Sequence, residues 1–230
     1  IGTHKLLSNE LSFAGLGLII VDEEHRFGVK QKERIKSISM AVDVLFMSAT
    51  PIPRTMQLSI SGIKTISTIF TPPLKRKPIS TAVKYSNNLV LRETITREIR
   101  RDGQVFVVNN NVDNMGLYTE KIRLLLPFAS VDFIHGQESA VKIETKMSAF
   151  INKKITVLVC SSIIEAGIDV PGVNTIIIEN SHLFGLAQLY QLRGRVGRSG
   201  VSSFAVLLIP KNHRLSGIAK KRLKTIQNNT

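Results

Sequence analysis

The stretch that decides the fold is residues 17–25, Gly-Leu-Ile-Ile-Val-Asp-Glu-Glu-His, an uncharged apolar run that ends abruptly in three acids. Comparable runs rich in Val, Ile and Leu recur along the chain, at Val44–Met47, Ile66–Phe70, Ile79–Lys84, Gln104–Asn109, Val131–Ile134, Ile155–Cys160, Thr175–Ile178 and Ser203–Ile209. Such runs are typical of parallel strands whose two faces are both covered. We therefore expect Gly17–Val21 and the other runs to be buried strands.

Amphipathic helical patterns separate these runs. Leu91, Ile95 and Ile99 repeat every fourth residue, and Asp102-Gly103 then predicts the end of that helix. Apolar residues of 140–151 follow the spacing of one helix face. The alternation of strand and helix predicts an α/β protein built on parallel sheets.

Composition narrows the class of protein. The chain has 230 residues, is 43% hydrophobic and carries a formal net charge of +14, which excludes global disorder and favours a polyanionic partner, most often nucleic acid. Its single cysteine, Cys160, excludes an internal disulfide and a cysteine-cluster metal site. No apolar stretch is long enough to span a bilayer and no secretory signal is visible, so we expect a cytoplasmic protein without a membrane partner.

The basic charge is concentrated after residue 72. Residues 1–72 have a net charge of +2, whereas residues 73–230 have +12. At the boundary, residues 71–78 read Thr-Pro-Pro-Leu-Lys-Arg-Lys-Pro, which suits neither a helix interior nor a central strand. We interpret 73–78 as a linker between a domain at 1–72 and a domain at 79–230; the alternative is a long surface loop within one domain.

Two polar segments follow strands of the first domain. Asp22 can hold Mg²⁺, largely through water, and Glu23 can orient or deprotonate a water that attacks a γ-phosphate. Ser48-Ala49-Thr50-Pro51 follows the next strand and can relay a change between sites through its hydroxyl groups. Taken alone, the first segment is as consistent with an acidic loop capping a helix, and the second with an ordinary turn.

Two further polar segments lie in the second domain. Residues 191–198, Gln-Leu-Arg-Gly-Arg-Val-Gly-Arg, combine arginine forks that match phosphate oxygens with glycines that allow close backbone approach. Ser161 and Ser162 follow a strand and can contact a nucleic-acid phosphate, and Asp169 can accept a hydrogen bond from a ribose hydroxyl. The alternatives are a basic surface loop and a simple helix cap.

Together, the four segments resemble motifs II, III, V and VI of superfamily 2 helicases and translocases. Gly2-Thr3-His4 is similar to motif Ib, and His135-Gly136-Gln137 is similar to a segment that meets the nucleic-acid strand. Longer strings, at 21–29, 49–55 and 184–191, resemble the motor of the bacterial transcription-repair coupling factors. The fork-reversing branch-migration helicases are less similar, because they usually have Gln where this chain has Glu24, and they tend to carry an insertion between 76 and 135.

The resemblance implies two RecA-like lobes, parallel sheets with flanking helices, of which the first is partial and the second nearly complete. It assigns ATP and Mg²⁺ as cofactors. In the first lobe Asp22 would hold Mg²⁺, Glu23 would activate water, and Ser48 and Thr50 would couple hydrolysis to movement. These roles come from the resemblance and not from spacing alone.

The same resemblance assigns nucleotide contacts in the second lobe. Gly167 and Asp169 would contact the nucleotide, and Gln191 would link the phosphate site to motif V. Arg195 and Arg198 would reach the γ-phosphate, with Arg198 as the arginine finger. The resemblance thus places both halves of a γ-phosphate site in one chain.

The implied partner is double-stranded DNA, tracked along one strand by its backbone through Thr3, His135, Gly136, Ser161 and Ser162. Contacts of this kind imply little sequence preference and strong salt dependence. RNA polymerase and an excision-repair damage-recognition protein would bind through domains outside this chain. Such a motor would displace stalled polymerase and couple transcription to nucleotide excision repair.

One departure from the family pattern is that the chain has no Gly-x-x-x-x-Gly-Lys-Ser/Thr phosphate loop. We therefore expect a fragment of a larger protein that hydrolyses ATP negligibly alone. Three functions remain open: the coupling-factor motor, the fork-reversing motor, and a non-enzymatic DNA-binding module that kept the fold and lost the ATPase.

Overall fold

The structure is a computed structural model, and it describes residues 1–8, 11–23, 27–48, 65, 67–69, 71, 77–166, 170, 172–197, 200–212 and 214–229. The chain divides into two compact units, Ile1–Thr68 and Ile69–Thr230. Of the expected linker at 73–78, only Lys77 and Pro78 are described, so that boundary stays a prediction.

The first unit contains a small parallel sheet. Strand β1 (Leu18–Asp22) pairs with strand β2 (Asp43–Met47), and helix α1 (Val29–Ile38) connects them. Short 3₁₀ helices lie at His4–Leu7 and Ser39–Ala41. In the register, Asp22 lies opposite Met47, so both strands end at the same edge. The first two predicted strands are confirmed to within one residue.

The third strand expected here, Ile66–Phe70, is wrong where it can be checked. Residues 67–69 form no strand, and Ile69 is 91% exposed; Ile66 and Phe70 lie outside the described residues. A strand needs a hydrogen-bonded neighbour, and β1 and β2 pair only with each other in the described part of this unit. Apolar composition alone is not enough to make a strand.

The second unit is a six-stranded, fully parallel sheet with helices between its strands. The strands are β3 (Ile79–Tyr85), β4 (Gln104–Val108), β5 (Val131–Ile134), β6 (Val157–Cys160), β7 (Val173–Ile178) and β8 (Ser203–Ile209). The helices are α2 (Asn88–Ile99), α3 (Met115–Leu125), α4 (Ala140–Ile151), α5 (Leu186–Arg193) and α6 (Gly217–Asn228). Short 3₁₀ helices lie at Ser162–Ala166 and Ser181–Leu183. All six predicted strands are confirmed, with ends within two residues.

The strand order is β3-β8-β7-β4-β6-β5. Alternate residues of the central strands enter two separate cores: Phe106 and Val108 pack with α4, α5 and α6 on one face, and Val105 and Val107 pack with α2 and α3 on the other. Both faces are therefore covered, and the predicted fold class, parallel sheets with flanking helices, is confirmed. Within the described ranges, no helix is both long and apolar enough to cross a membrane.

Asp102 and Gly103 follow the end of α2, and each has a different structural role there. Asp102 has φ +58°, which turns the chain out of the helix. Gly103 has an ordinary φ, but a Cβ there would lie 1.8 Å from Oε1 of the fully buried Glu98. Gly103 thus packs closely against Glu98, whose carboxylate accepts hydrogen bonds from Arg101 and Thr175.

Candidate nucleotide and nucleic-acid sites

The acidic segment and the serine segment of the first unit meet at the carboxyl edge of its sheet. The Glu23 N–H donates to the Met47 carbonyl at 2.9 Å, and Ser48 Oγ donates to Glu23 Oε2 at 3.0 Å. Glu23 has φ +53°, a conformation that is uncommon for a residue other than glycine and that concentrates at functional sites. The geometry therefore brings the predicted residues Glu23 and Ser48 together at the ends of two neighbouring strands.

Asp22, the last residue of β1, is exposed next to this pair. The described residues contain no group of three or more His, Cys, Asp or Glu side chains that could hold a metal by themselves. An exposed carboxylate at a strand end can serve as a ligand of Mg²⁺, which keeps several waters and takes further oxygens from phosphates. Thr50, expected beside Ser48, lies outside the described residues.

The Thr3 turn lies in the same unit. Thr3 is exposed, and its Oγ1 accepts the Lys5 N–H at 3.4 Å, which caps the 3₁₀ helix His4–Leu7. The His4 ring contacts the Phe27 ring with centroids 4.3 Å apart. This turn is thus packed against the segment that follows the acidic residues.

In the second unit, the predicted DNA-contacting residues gather at the ends of two neighbouring strands. His135 and Gly136 follow β5, and Ser161 and Ser162 follow β6. The Ser161 N–H donates to the Ile134 carbonyl at 3.3 Å, which ties the two strand ends together. Four of the predicted residues therefore share one edge of the sheet.

The end of β4 is bonded to the end of β6 through asparagines that were not predicted from the sequence. Asn110, which follows β4, accepts the Ser162 N–H with its Oδ1 at 3.0 Å. Asn109 accepts the Asn111 N–H at 3.0 Å and donates its own N–H to the Cys160 carbonyl at 2.8 Å. Three consecutive asparagines after a strand are the available signal, because asparagine side chains commonly bond to nearby backbone groups in turns.

The end of β7 carries a buried carboxylate, Glu179. It accepts hydrogen bonds from Tyr118 Oη at 2.6 Å and from Ser86 Oγ at 3.2 Å. Burial, together with the neighbouring Glu179 charge and hydrogen bond, raises the pKa of Tyr118 far above its usual range, so this phenol stays protonated. These bonds fix the edge of the sheet beside the asparagine turn.

The arginine-rich segment separates into different environments. Arg193 is buried, lies over the Tyr190 ring, and donates to the carbonyls of Ile226, at 2.9 Å, and Asn229 at the end of α6. Arg193 therefore holds α5 to the end of α6. Gln191, on α5, and Arg195, just beyond it, are half-buried.

The remaining predicted nucleotide contacts, Gly167, Asp169 and Arg198, lie outside the described residues. Gly197, just before Arg198, has φ +82°, and a Cβ there would approach Ile79 at 3.2 Å. Position 197 therefore requires glycine, because a larger residue would be strained at this φ and would crowd Ile79.

Comparisons with known proteins agree with this architecture. The family described as helicase conserved C-terminal domain matches residues 86–200, and the DEAD/DEAH box helicase family matches residues 1–58. Each match falls inside one of the two units described above.

Two curated relatives match the chain along almost all of its length. A transcription-repair-coupling factor of Myxococcus xanthus is 49% identical over 230 residues, which is 100% of this chain and 19% of the relative. A transcription-repair-coupling factor of Haemophilus influenzae is 50% identical over 228 residues, 99% of this chain and 20% of the relative. The chain thus spans about a fifth of the length of these relatives.

A solved structure of RecG bound to a three-way DNA junction aligns with a TM-score of 0.76 and 35% identity, covering 100% of this chain and 30% of that one. The RecA-like fold expected from the motifs is therefore confirmed, as is the resemblance to transcription-repair-coupling factors. The chain belongs to the helicase family that is defined by the helicase conserved C-terminal domain.

Proposed function

We propose that this chain is part of the motor of an ATP-driven double-stranded DNA translocase. The motor displaces stalled RNA polymerase and couples transcription to nucleotide excision repair. The observation that supports this most strongly is the near 50% identity to transcription-repair-coupling factors along the whole chain. The polymerase and a damage-recognition protein bind through parts of a longer protein that are not in this chain.

In the proposed mechanism the first unit works on the nucleotide. Asp22 holds Mg²⁺, which supplies charge stabilisation to the phosphates of ATP when it is bound. Glu23 orients the attacking water and accepts its proton. The Ser48 hydroxyl lies 3.0 Å from Glu23 Oε2. Through this hydrogen bond Ser48, together with Thr50, couples hydrolysis at Glu23 to movement at the end of β2.

The second unit contributes positive charge and nucleotide contacts. Arg195 and Arg198 stabilise the negative charge that develops during phosphoryl transfer. Gly167 and Asp169 contact the nucleotide, and Gln191 links the phosphate site to the segment at residues 161–169. Arg193 takes no part, because its guanidinium is already bonded to the end of α6.

DNA binding is proposed at Thr3 in the first unit and, in the second unit, at the shared edge of the six-stranded sheet. The hydroxyl groups of Ser161 and Ser162, the His135 side chain and the Gly136 backbone N–H bind phosphate oxygens, which carry no sequence information. The net charge of +14 adds long-range attraction to the polyanion. Weak sequence preference and a steep loss of affinity with salt follow.

The second candidate is a motor that remodels replication forks. It is favoured by the RecG structure, which aligns over the whole chain at 35% identity. The chemistry is the same in both candidates, and the DNA substrate differs. Polymerase displacement and fork reversal, assayed side by side on the longer protein, separate them.

The test is ATP hydrolysis by a longer protein that contains this chain and a phosphate loop, with and without duplex DNA. Arg198→Ala should lower DNA-stimulated turnover by about 10³-fold or more, because a transition-state arginine is removed. Glu23→Gln should also abolish turnover. Arg214→Ala, an exposed arginine outside the proposed site, is the matched control and should leave turnover unchanged.

Two outcomes would redirect the proposal. DNA binding without turnover in the longer protein would leave the non-enzymatic DNA-binding module as the function. The chain by itself should hydrolyse ATP negligibly, so a steady rate that Glu23→Gln abolishes would contradict the requirement for a separate phosphate loop.

A further inference from the structure

The turn that follows β5 is closed by two reciprocal hydrogen bonds. The His135 N–H donates to Glu138 Oε2 at 3.2 Å, and the Glu138 N–H donates back to the His135 carbonyl at 3.1 Å. Glu138 therefore closes a four-residue turn, whose middle is Gly136 and Gln137, through its side chain and through its backbone N–H. Without that carboxylate, one of the two bonds that define the turn is lost.

Lys146, on α4, anchors this closed turn to the sheet. Its Nζ donates to the Phe133 carbonyl at 2.7 Å and to Glu138 Oε1 at 2.8 Å, and it lies 3.7 Å from Asp132 Oδ1. The same ammonium is 4.4 Å from the centroid of the Phe133 ring. One cation thus contacts the strand, its aromatic ring and the turn.

The pair differs from an ordinary surface ion pair. The side chains of Lys146 and Glu138 are only 23% and 12% exposed, so solvent screens them less than a fully exposed pair. The His135 ring stacks on the Phe133 ring, with centroids 5.9 Å apart and planes 8° apart. The position of the imidazole therefore depends on the strand residue that Lys146 contacts.

The outer side of the turn is open to a ligand. Gly136 is exposed, and no heavy atom lies within 4 Å of the position that a Cβ would take there. Glycine backbone without a Cβ, at the edge where Ser162 is partly exposed, can approach a phosphate closely. An acid next to such a surface repels DNA, so Glu138 is unfavourable there on charge alone.

We propose that Glu138 and Lys146 are positioning residues, which hold the His135–Gly136 turn in the shape that binds a DNA phosphate backbone. This inference rests on the proposed DNA-binding function of that turn. It adds two residues that do not themselves touch DNA, and it accounts for an acid at a surface that binds a polyanion.

The decisive variant is Glu138→Ala in the full chain, with binding to a fluorescent 20-base-pair duplex measured by anisotropy at several salt concentrations. If Glu138 acts only through its charge, Glu138→Ala should bind DNA more tightly, because one negative charge is removed. If Glu138 positions the turn, the affinity of Glu138→Ala for DNA should instead fall by about fivefold to tenfold, because the hydrogen bond that orders the turn is gone. Glu144→Ala, an exposed acid on the same helix as Lys146, is the matched control and should bind as tightly as wild type or slightly more tightly.

A conservative variant separates positioning from charge. Glu138→Gln keeps one acceptor oxygen for the His135 N–H but loses the acceptor for Lys146, so it should recover part of the affinity that Glu138→Ala loses. Lys146→Met should weaken binding more than Lys142→Met, which removes an equal charge from an exposed position on α4. Faster hydrogen exchange of the His135 amide in Glu138→Ala, with unchanged exchange in β4 and β7, would locate the effect in the turn.

The outcomes are distinct. Failure of the wild-type chain to bind duplex DNA would remove the proposed DNA-binding function on which the inference rests. Binding by wild type, with Glu138→Ala equal to Glu144→Ala, would overturn the positioning role and leave the function intact. The positioning role is also overturned if Glu138→Gln loses as much affinity as Glu138→Ala.

Discussion

The two units use similar apolar strands under very different conditions. In the six-stranded sheet, Phe106 and Val107 of β4 are 1% and 0% exposed, although they point to opposite faces. In the two-stranded sheet, Leu18 and Ile20 of β1 are 52% and 56% exposed, and only Val21 of that strand is buried. The strands have similar composition but not similar burial.

The difference teaches that an apolar run specifies a strand but not its stability. Burial on two faces needs helices on both sides and a neighbour on each edge, which β4 has and β1 lacks among the described residues. The polar residues at the strand ends occupy the same place in both sheets, because parallel strands end at a common edge. The position of these polar residues is therefore independent of how well the sheet beneath them is packed.

The largest expected effect is in limited proteolysis of the whole chain. Trypsin should cut first near Lys75–Lys77 and should degrade the first unit about tenfold or more faster than the second, because exposed strands open at low free-energy cost. Gel electrophoresis and mass spectrometry of the fragments measure this. A chain that resists digestion uniformly would contradict both the boundary and the contrast in stability.

A pair of core substitutions sharpens the contrast. Phe106→Ala should lower the free energy of unfolding of the second unit by about 3–5 kcal/mol, because it leaves a cavity against Phe150. Ile20→Ala, at an exposed strand position, should change stability by only about 0.5 kcal/mol. Urea denaturation measures both, and equal costs would show that β1 is covered as well as β4.

Two glycines test the packing within the second unit. Gly103→Ala places a methyl group against the Glu98 carboxylate and should cost about 1–3 kcal/mol. Gly116→Ala, in α3 with no atom within 4 Å of the new methyl group, should stabilise the unit by about 0.5–1 kcal/mol. Thermal unfolding of both variants checks the opposite signs, and a harmless Gly103→Ala would mean that Glu98 can move aside.

The smallest expected effect is a dependence of stability on pH that comes from Glu138. Burial alone would raise the pKa of this carboxyl, but the hydrogen bonds from Lys146 and the His135 N–H, with the Lys146 charge, lower it. The unfolded chain therefore takes up the proton first as pH falls. The stabilisation is complete above the ordinary glutamate pKa of about 4.3 and is lost as pH falls through the lower pKa of the folded state.

Thermal unfolding of wild type and Glu138→Gln, from neutral pH down to about pH 3, measures this contribution. The stability difference between the two proteins should shrink as the pH falls. A difference that grows towards acid pH would mean that the folded state raises the pKa of Glu138.

Sequence patterns predicted the second sheet almost completely, because a continuous Val/Ile/Leu run between two helices is typical of a buried parallel strand. They also identified Glu23 and Ser48, which the fold brings to 3.0 Å. The patterns missed Asn110, whose partner Ser162 is far away in sequence, and Lys146, whose contacts join a helix to the strand and turn before it. They also could not show that Arg193 is bonded to α6, since arginines in one short segment look alike until their partners are known.

The pairing of β3 with β8 has a consequence for synthesis of the chain on the ribosome. Ile79 lies opposite Ser203, about 120 residues later, and β3 has no other strand neighbour in the described part of the sheet. At a translation rate of about 5–20 residues per second, β3 waits on the order of 10 s before its partner exists. During that interval it is an unpaired apolar edge, so its capture by chaperones or by another nascent chain is a hazard that the finished fold no longer shows.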